Sequence, residues 1–177
     1  MELLKLATEW AKAEVFSTRF FILFAIIFLI ASIGFCQLGK TDLAKAYIIP
    51  TLVAGILLLI IGSGLNYTNV QRVKQFEKDF NGDASAFYQS EIERSESTLK
   101  EYKVVFKVIP ILIIIAALLI LFVNTPTWRA ISITIIAMLI VILLVDGTAH
   151  SRIESYHKEL KLVDIENEIK NNYTQQR

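Results

Sequence analysis

Cysteine is all but missing from this chain. Cys36 is its single thiol in 177 residues. One thiol excludes an intramolecular disulfide and any zinc site built on paired cysteines. Cys36 sits inside an apolar run, where it reads as a small packing residue. Helix breakers are scarce too, with three prolines and seven glycines. After the second apolar run, 47–67, no strong breaker intervenes before Gly82, so one helix is expected to continue to Phe80. The two histidines, His150 and His157, are seven apart and would need partners from another helix to hold a metal. Charge of one sign is also lacking, since the net charge is +1. No global field points to nucleic acid. There is no Gly-rich phosphate loop and no His-Glu-x-x-His pair. The residues therefore assemble no catalytic, cofactor or metal constellation, and the chain reads as non-enzymatic.

What is present is apolar length. Of all residues, 54% are hydrophobic, and they gather in four blocks at 20–38, 47–67, 104–123 and 130–145. Crossing a bilayer core takes about 20 apolar residues. The second block supplies that length without a formal charge. In the third, Lys107 lies in the first turn, where its stem can reach back to the headgroups. The fourth block is short unless Trp128 and Asp146 sit at the two interfaces. A polytopic membrane protein follows, because only structures that satisfy their own backbone can cross lipid. Glu2, Lys5, Glu9, Lys12, Glu14 and Arg19 precede the first block. That is too acidic for a cleaved leader, so the first block is expected to stay as a span. Of the 18 Lys and Arg, all but Lys40, Lys45 and Arg129 fall on the side of the N-terminus, middle loop and C-terminal tail. The bias places both termini in the cytoplasm and the protein in a plasma membrane of the bacterial inner type.

The stretches between spans carry helical periodicity. Residues 3–19 are amphipathic, with Leu3, Leu6, Trp10, Ala13 and Phe16 near one face. They either lie in the membrane interface or pack on other cytoplasmic helices and run straight into the first span. The second reading keeps the helical register through Glu14 and Arg19. Tyr88, Ile92, Ser95, Leu99, Tyr102 and Phe106 step by 4 and 3, a heptad spacing. Ala149, Ile153, Tyr156, Leu160 and Val163 do the same. Asn81, Gly82 and Asp83 read as a turn, with Asp83 as helix cap. Pro110 predicts a kink, and the polar composition from Asn167 onward predicts fraying.

A shift of 80 positions aligns Thr68, Arg72 and Lys78 with Thr148, Arg152 and Lys158, and Asn66 with Asp146. The expected fold is therefore all-α: four transmembrane helices as two parallel helical-hairpin repeats, 1–82 and 83–177, with helices extended into the cytoplasm. Parallel copies imply a pseudo-two-fold axis along the membrane normal.

Two candidate sites emerge. One is a polar collar at the cytoplasmic interface formed by Glu14, Arg19, Asn66, Asp146 and His150, able to gate a pore or hold a small ligand. His150 follows Asp146 by four and shares its face. The other is a face of small and polar residues, Thr51, Gly55 and Gly62, continued by Asn66 and Asn69. It either packs a helix closely, as small faces do in lipid, or lines a pore. Arg72 and Arg152 could meet lipid phosphates or a nucleotide. The spans hold no central carboxylate or base, which weighs against ion-coupled transport. The function expected is that of a non-enzymatic membrane protein acting by interaction, as an accessory subunit or homo-oligomer. Its partners are the lipid bilayer and a membrane protein or a second copy, with no nucleic acid and no cofactor. The alternatives are an oligomeric pore-forming or membrane-disrupting effector, or a transporter or membrane enzyme.

Overall fold

A computed structural model describes residues 2–175, with side chains through Val163. Five helices fill it, and there is no strand among the described residues: α1 (Glu2–Leu38), α2 (Asp42–Ala46), α3 (Ile48–Gly82), α4 (Ala84–Phe122) and α5 (Pro126–Gln175). Four of these are long and apolar enough to cross a membrane. At 1.5 Å per residue the 37 residues of α1 reach about 55 Å. A hydrocarbon core of ~30 Å uses only part of that length. The remainder is the charged end of the bundle.

Chain punctuation explains the breaks. α1 ends before Gly39, whose amide donates to the Phe35 carbonyl at 3.0 Å. The stretch after it folds into the single turn of α2, because the Thr41 hydroxyl accepts from the Ala44 amide at 3.1 Å. At the other end of α3, the Asp83 carboxylate accepts from the Ser85 and Ala86 amides and starts α4. α4 continues through Pro110. α5 runs on to Gln175, past the point where fraying is expected at Asn167. No glycine or proline lies between Asn167 and Arg177 to stop it.

The long helices pair as two hairpins, α1 with α3 and α4 with α5, and α1 also packs on α5. At the charged end all four contribute to one core: Leu3, Ala7, Trp10 and Ala11 from α1, Phe76 from α3, Phe87 from α4, and Ile153, Tyr156 and Leu160 from α5. Here α1 follows the second of its two readings, packing on its neighbours and running unbroken into the apolar half. Its buried face is rotated from the expected one. Leu3, Ala7, Trp10, Glu14, Ser17 and Phe21 are buried, while Phe16 is 60% exposed. Those positions step by 4 and 3, but Glu14 and Ser17 are polar, so hydropathy alone places the stripe wrongly.

At the apolar end a smaller core joins Phe21 and Ala25 of α1, Leu58 of α3, and Val141 and Val145 of α5. The α4 segment there buries Ile109 and Ala116 and leaves Ile111, Ile114, Leu118 and Leu121 exposed. Of the small residues along the apolar halves of α1 and α5, Ala25, Ser32, Ala130 and Thr134 are buried, whereas Ala137 is exposed, and so is Cys36, against its reading as a packing residue.

Candidate functional site

Where the charged end meets the apolar end, the four long helices leave a cavity of about 390 Å³. α1 brings Trp10, Glu14, Ser17 and Thr18 to it. α3 brings Asn69 and Arg72, α4 brings Arg94, Thr98, Glu101 and Tyr102, and α5 brings Asp146 and Ala149. Phe21, Leu65, Ile142 and Val145 form its apolar floor.

Two carboxylates near this cavity, Glu14 and Glu91, each meet a guanidinium. The Arg152 guanidinium donates to the Glu14 carboxylate at 3.0 Å and to the Ser17 hydroxyl at 2.6 Å, tying α5 to α1. Burial raises the Glu14 pKa above its ordinary value, although Arg152 pulls the other way. Deeper in the charged end, Arg94 donates two bonds to Glu91, and the Tyr156 hydroxyl donates a third. Arg94 also lies 4.1 Å from the centre of the Trp10 ring, which stacks on Tyr156 at 5.2 Å. One cation thus holds a carboxylate and an aromatic face together, a geometry suited to guanidinium. Desolvation, then Glu91, pushes the Tyr156 pKa upward. Ser95 and His157 share a hydrogen bond of 2.7 Å between α4 and α5.

The five collar residues do not form one ring. Glu14 and Asp146 line the cavity. Asn66 stands beside it, donating to the Thr18 hydroxyl at 3.1 Å and to the Val15 carbonyl at 3.4 Å. Arg19 is exposed. His150 packs edge-on against Tyr102 and Phe106, at 5.5 and 5.4 Å. It shares a face with Asp146 by spacing, yet α4 covers its ring. The two histidines therefore meet different neighbours. No cluster of three His, Cys, Asp or Glu side chains able to hold a metal occurs among the described residues.

The small-residue face of α3 lies against α1. A Cβ at Gly62 would stand 2.8 Å from the Phe21 Cβ and 3.1 Å from the Ile22 amide nitrogen. One at Gly55 would stand 2.8 Å from Leu29 Cγ and 3.1 Å from the Ala25 carbonyl oxygen. Thr51 returns its hydroxyl to the Tyr47 carbonyl at 2.7 Å, within its own chain turn. Ser32 adds a cross-helix bond to the Ile48 carbonyl at 2.8 Å.

Sequence reasoning missed Trp10 and Arg94 as cavity residues, while Asn69, on the stripe expected to pack a helix or line a pore, does line the cavity. The available signal was the 4 and 3 spacing of α1 through Glu14, which brings Trp10 onto the buried face. Nothing in the sequence pairs Arg94 with Trp10, since that contact joins residues 84 positions apart. The pairing of Arg72 with Arg152 by repeat position also splits: Arg152 is engaged by Glu14, while Arg72 holds only the Asn69 side-chain oxygen at 3.0 Å. No family model, curated protein or solved structure matches the chain.

Proposed function

We propose that this chain is a non-enzymatic, multi-pass integral membrane protein that acts by interaction, as an accessory subunit or homo-oligomer. Both termini and the charged end of the bundle lie in the cytoplasm, in a plasma membrane of the bacterial inner type. The supporting observation is the contrast along each long helix. Large apolar side chains such as Ile30, Ile60, Ile114 and Leu144 stand 58–64% exposed in the apolar half. In the charged half Trp10, Phe76, Phe87 and Tyr156 are buried. Exposed apolar surface of that extent needs lipid or protein against it. The alternative, a pore-forming or membrane-disrupting assembly, has less support, because α1 covers the Gly55 and Gly62 face that would line a channel.

Single cysteines placed at Thr41 and at Asn81 in a Cys36→Ser background test the topology. A membrane-impermeant maleimide on intact cells should label the first and spare the second. Labelling of both from one compartment overturns the topology. The mass of the detergent-extracted particle tests the mode of action. A particle larger than one chain, or with a stoichiometric second protein, is expected. A lone 20.1 kDa chain in its micelle, under conditions that preserve the fold, overturns it.

A further inference from the structure

The cavity between the hairpins contains two charged side chains, Arg72 and Asp146, that make no direct ion pair with its walls among the described residues. Arg72 is half-buried and donates one bond, to Asn69. No carboxylate among the described residues lies within 4.0 Å of it. A guanidinium carries five donors, so most of its capacity is unused by protein. Burial works against its charged form, as does the like charge of Arg94, while the more distant carboxylates of Glu91 and Glu14 offset this only in part. Arg94 itself is committed to Glu91 and the Trp10 ring. Asp146, on the α5 wall, has no hydrogen bond or ion pair among the described residues, although it is only partly exposed. The other carboxylates facing the cavity are accounted for: Glu14 is held by Arg152, and Glu101 is exposed to solvent.

A free guanidinium and a free carboxylate in one enclosure describe the ligand that would satisfy both. It carries an oxyanion at one end and hydrogen-bond donors at the other. We infer that the cavity binds a phosphate ester bearing hydroxyl groups, its phosphate held by Arg72 and its hydroxyls by Asp146. An oxyanion set beside Arg72 also relieves the repulsion from Arg94. The cavity, at about 390 Å³, lies in the range of small-ligand sites. Its floor of Phe21, Leu65 and Ile142 lowers the local dielectric and strengthens the charge contact. The way in lies between the hairpins. α3 touches α4 far less than it touches α1, and its ring contacts with α4 are those of Phe76 and Phe80 with Phe87, close to the turn. That entrance admits either a soluble glycerophosphate from the water or the glycerophosphate headgroup of a lipid from the side.

The full chain, purified in a phosphate-free maltoside detergent, provides the test. Thermal unfolding is followed with glycerol 3-phosphate added, and in nanodiscs of phosphatidylcholine with and without phosphatidylglycerol. At least one probe should raise the melting temperature of the wild type. A response to glycerol 3-phosphate identifies a soluble ligand, and a response to phosphatidylglycerol alone identifies a lipid. Arg72→Gln should weaken the responding probe about tenfold or more, the expected loss of a charge-assisted contact. Lys78→Gln, an exposed cation on the same helix, should leave it unchanged. The inference is overturned if no probe shifts the wild type, if Arg72→Gln responds as the wild type does, or if Lys78→Gln loses as much. Should Arg72→Gln fail to fold, Thr98→Trp narrows the cavity and leaves both charges in place. An undiminished response in that variant overturns the inference equally.

Discussion

The two ends of this bundle are held together by different means. At the charged end the contacts are large and aromatic: Trp10 on Tyr156, Phe76 and Phe80 edge-on to Phe87. At the apolar end the closest helix contact is made by side chains that are absent, at Gly55 and Gly62. Water supplies the reason at the first end, since removing aromatic surface from it stabilises the bundle. In lipid that drive vanishes, and helices associate through close backbone approach and a few hydrogen bonds. The α1–α3 pair, with Ser32 donating to Ile48 and Asn66 donating to Thr18, has the form expected of the second regime. Buried polar groups do not divide in the same way. At the charged end Glu14 is held by Arg152 of α5, and Glu91 by Arg94 of its own helix and Tyr156 of α5. The Trp10 indole nitrogen at that end and the Ser132 and Thr134 hydroxyls at the apolar end are all buried without a partner.

The comparison breaks first at Trp10. Trp10→Ala removes the ring between Arg94 and Tyr156 and should cost about 3–5 kcal/mol, the usual range for deleting a buried aromatic. Thermal unfolding in detergent, followed by near-ultraviolet circular dichroism, reads the loss. A cost under about 1 kcal/mol would mean that the aromatic end contributes little. At the other end, Gly62→Val should cost about 1–3 kcal/mol by overpacking against Phe21 and Ile22. If the α1–α3 contact is loose, that variant melts with the wild type.

The junction between the ends should show a pH dependence. Burial, then Glu14, raises the Asp146 pKa to about 6. The folded protein therefore holds this proton more tightly than the unfolded chain does. Its contribution is fully present below the ordinary carboxylate range and is lost as pH rises through about 6. With solvent screening of a partly exposed group, the change is at most about 2 kcal/mol. Melting temperature should fall between pH 4 and pH 7, and Asp146→Asn should flatten that slope. An equal slope in the variant assigns the effect elsewhere, Glu14 being the next carboxyl with a raised pKa.

The smallest effect sharpens the contrast best. Gly64 lies two residues from Gly62 in the same helix, and a Cβ there meets nothing within 4 Å. Gly64→Ala should stabilise by up to about 1 kcal/mol through helix propensity alone. Opposite signs for substitution at Gly62 and Gly64 would locate the close contact to one face. Like signs would dissolve it.

Much of the architecture is legible in order. The four apolar blocks, the Asn81–Gly82–Asp83 break and the 4 and 3 spacing of Ile153, Tyr156 and Leu160 all follow from periodicity and breaker chemistry, which are local properties. The cavity is legible only in fragments. Glu14 and Asp146 are visible as charges at the ends of apolar runs. Arg19 is visible for the same reason, yet it is exposed. The sign of a residue says nothing about which way its helix is turned. The buried stripe of α1 runs through Glu14 and Ser17, and hydropathy discards both.

Composition and order by themselves determined four long apolar helices, a scarcity of breaks between them, and charge gathered on one side. Those depend on backbone hydrogen bonding and transfer energies, which each segment carries alone. Only tertiary structure decided that Arg152 is paired and Arg72 is not, that α1 fills the face of Gly55 and Gly62, and that Arg94 rests on Trp10. Each of those depends on the rotation of one helix against another, which is set by the packing of all four together.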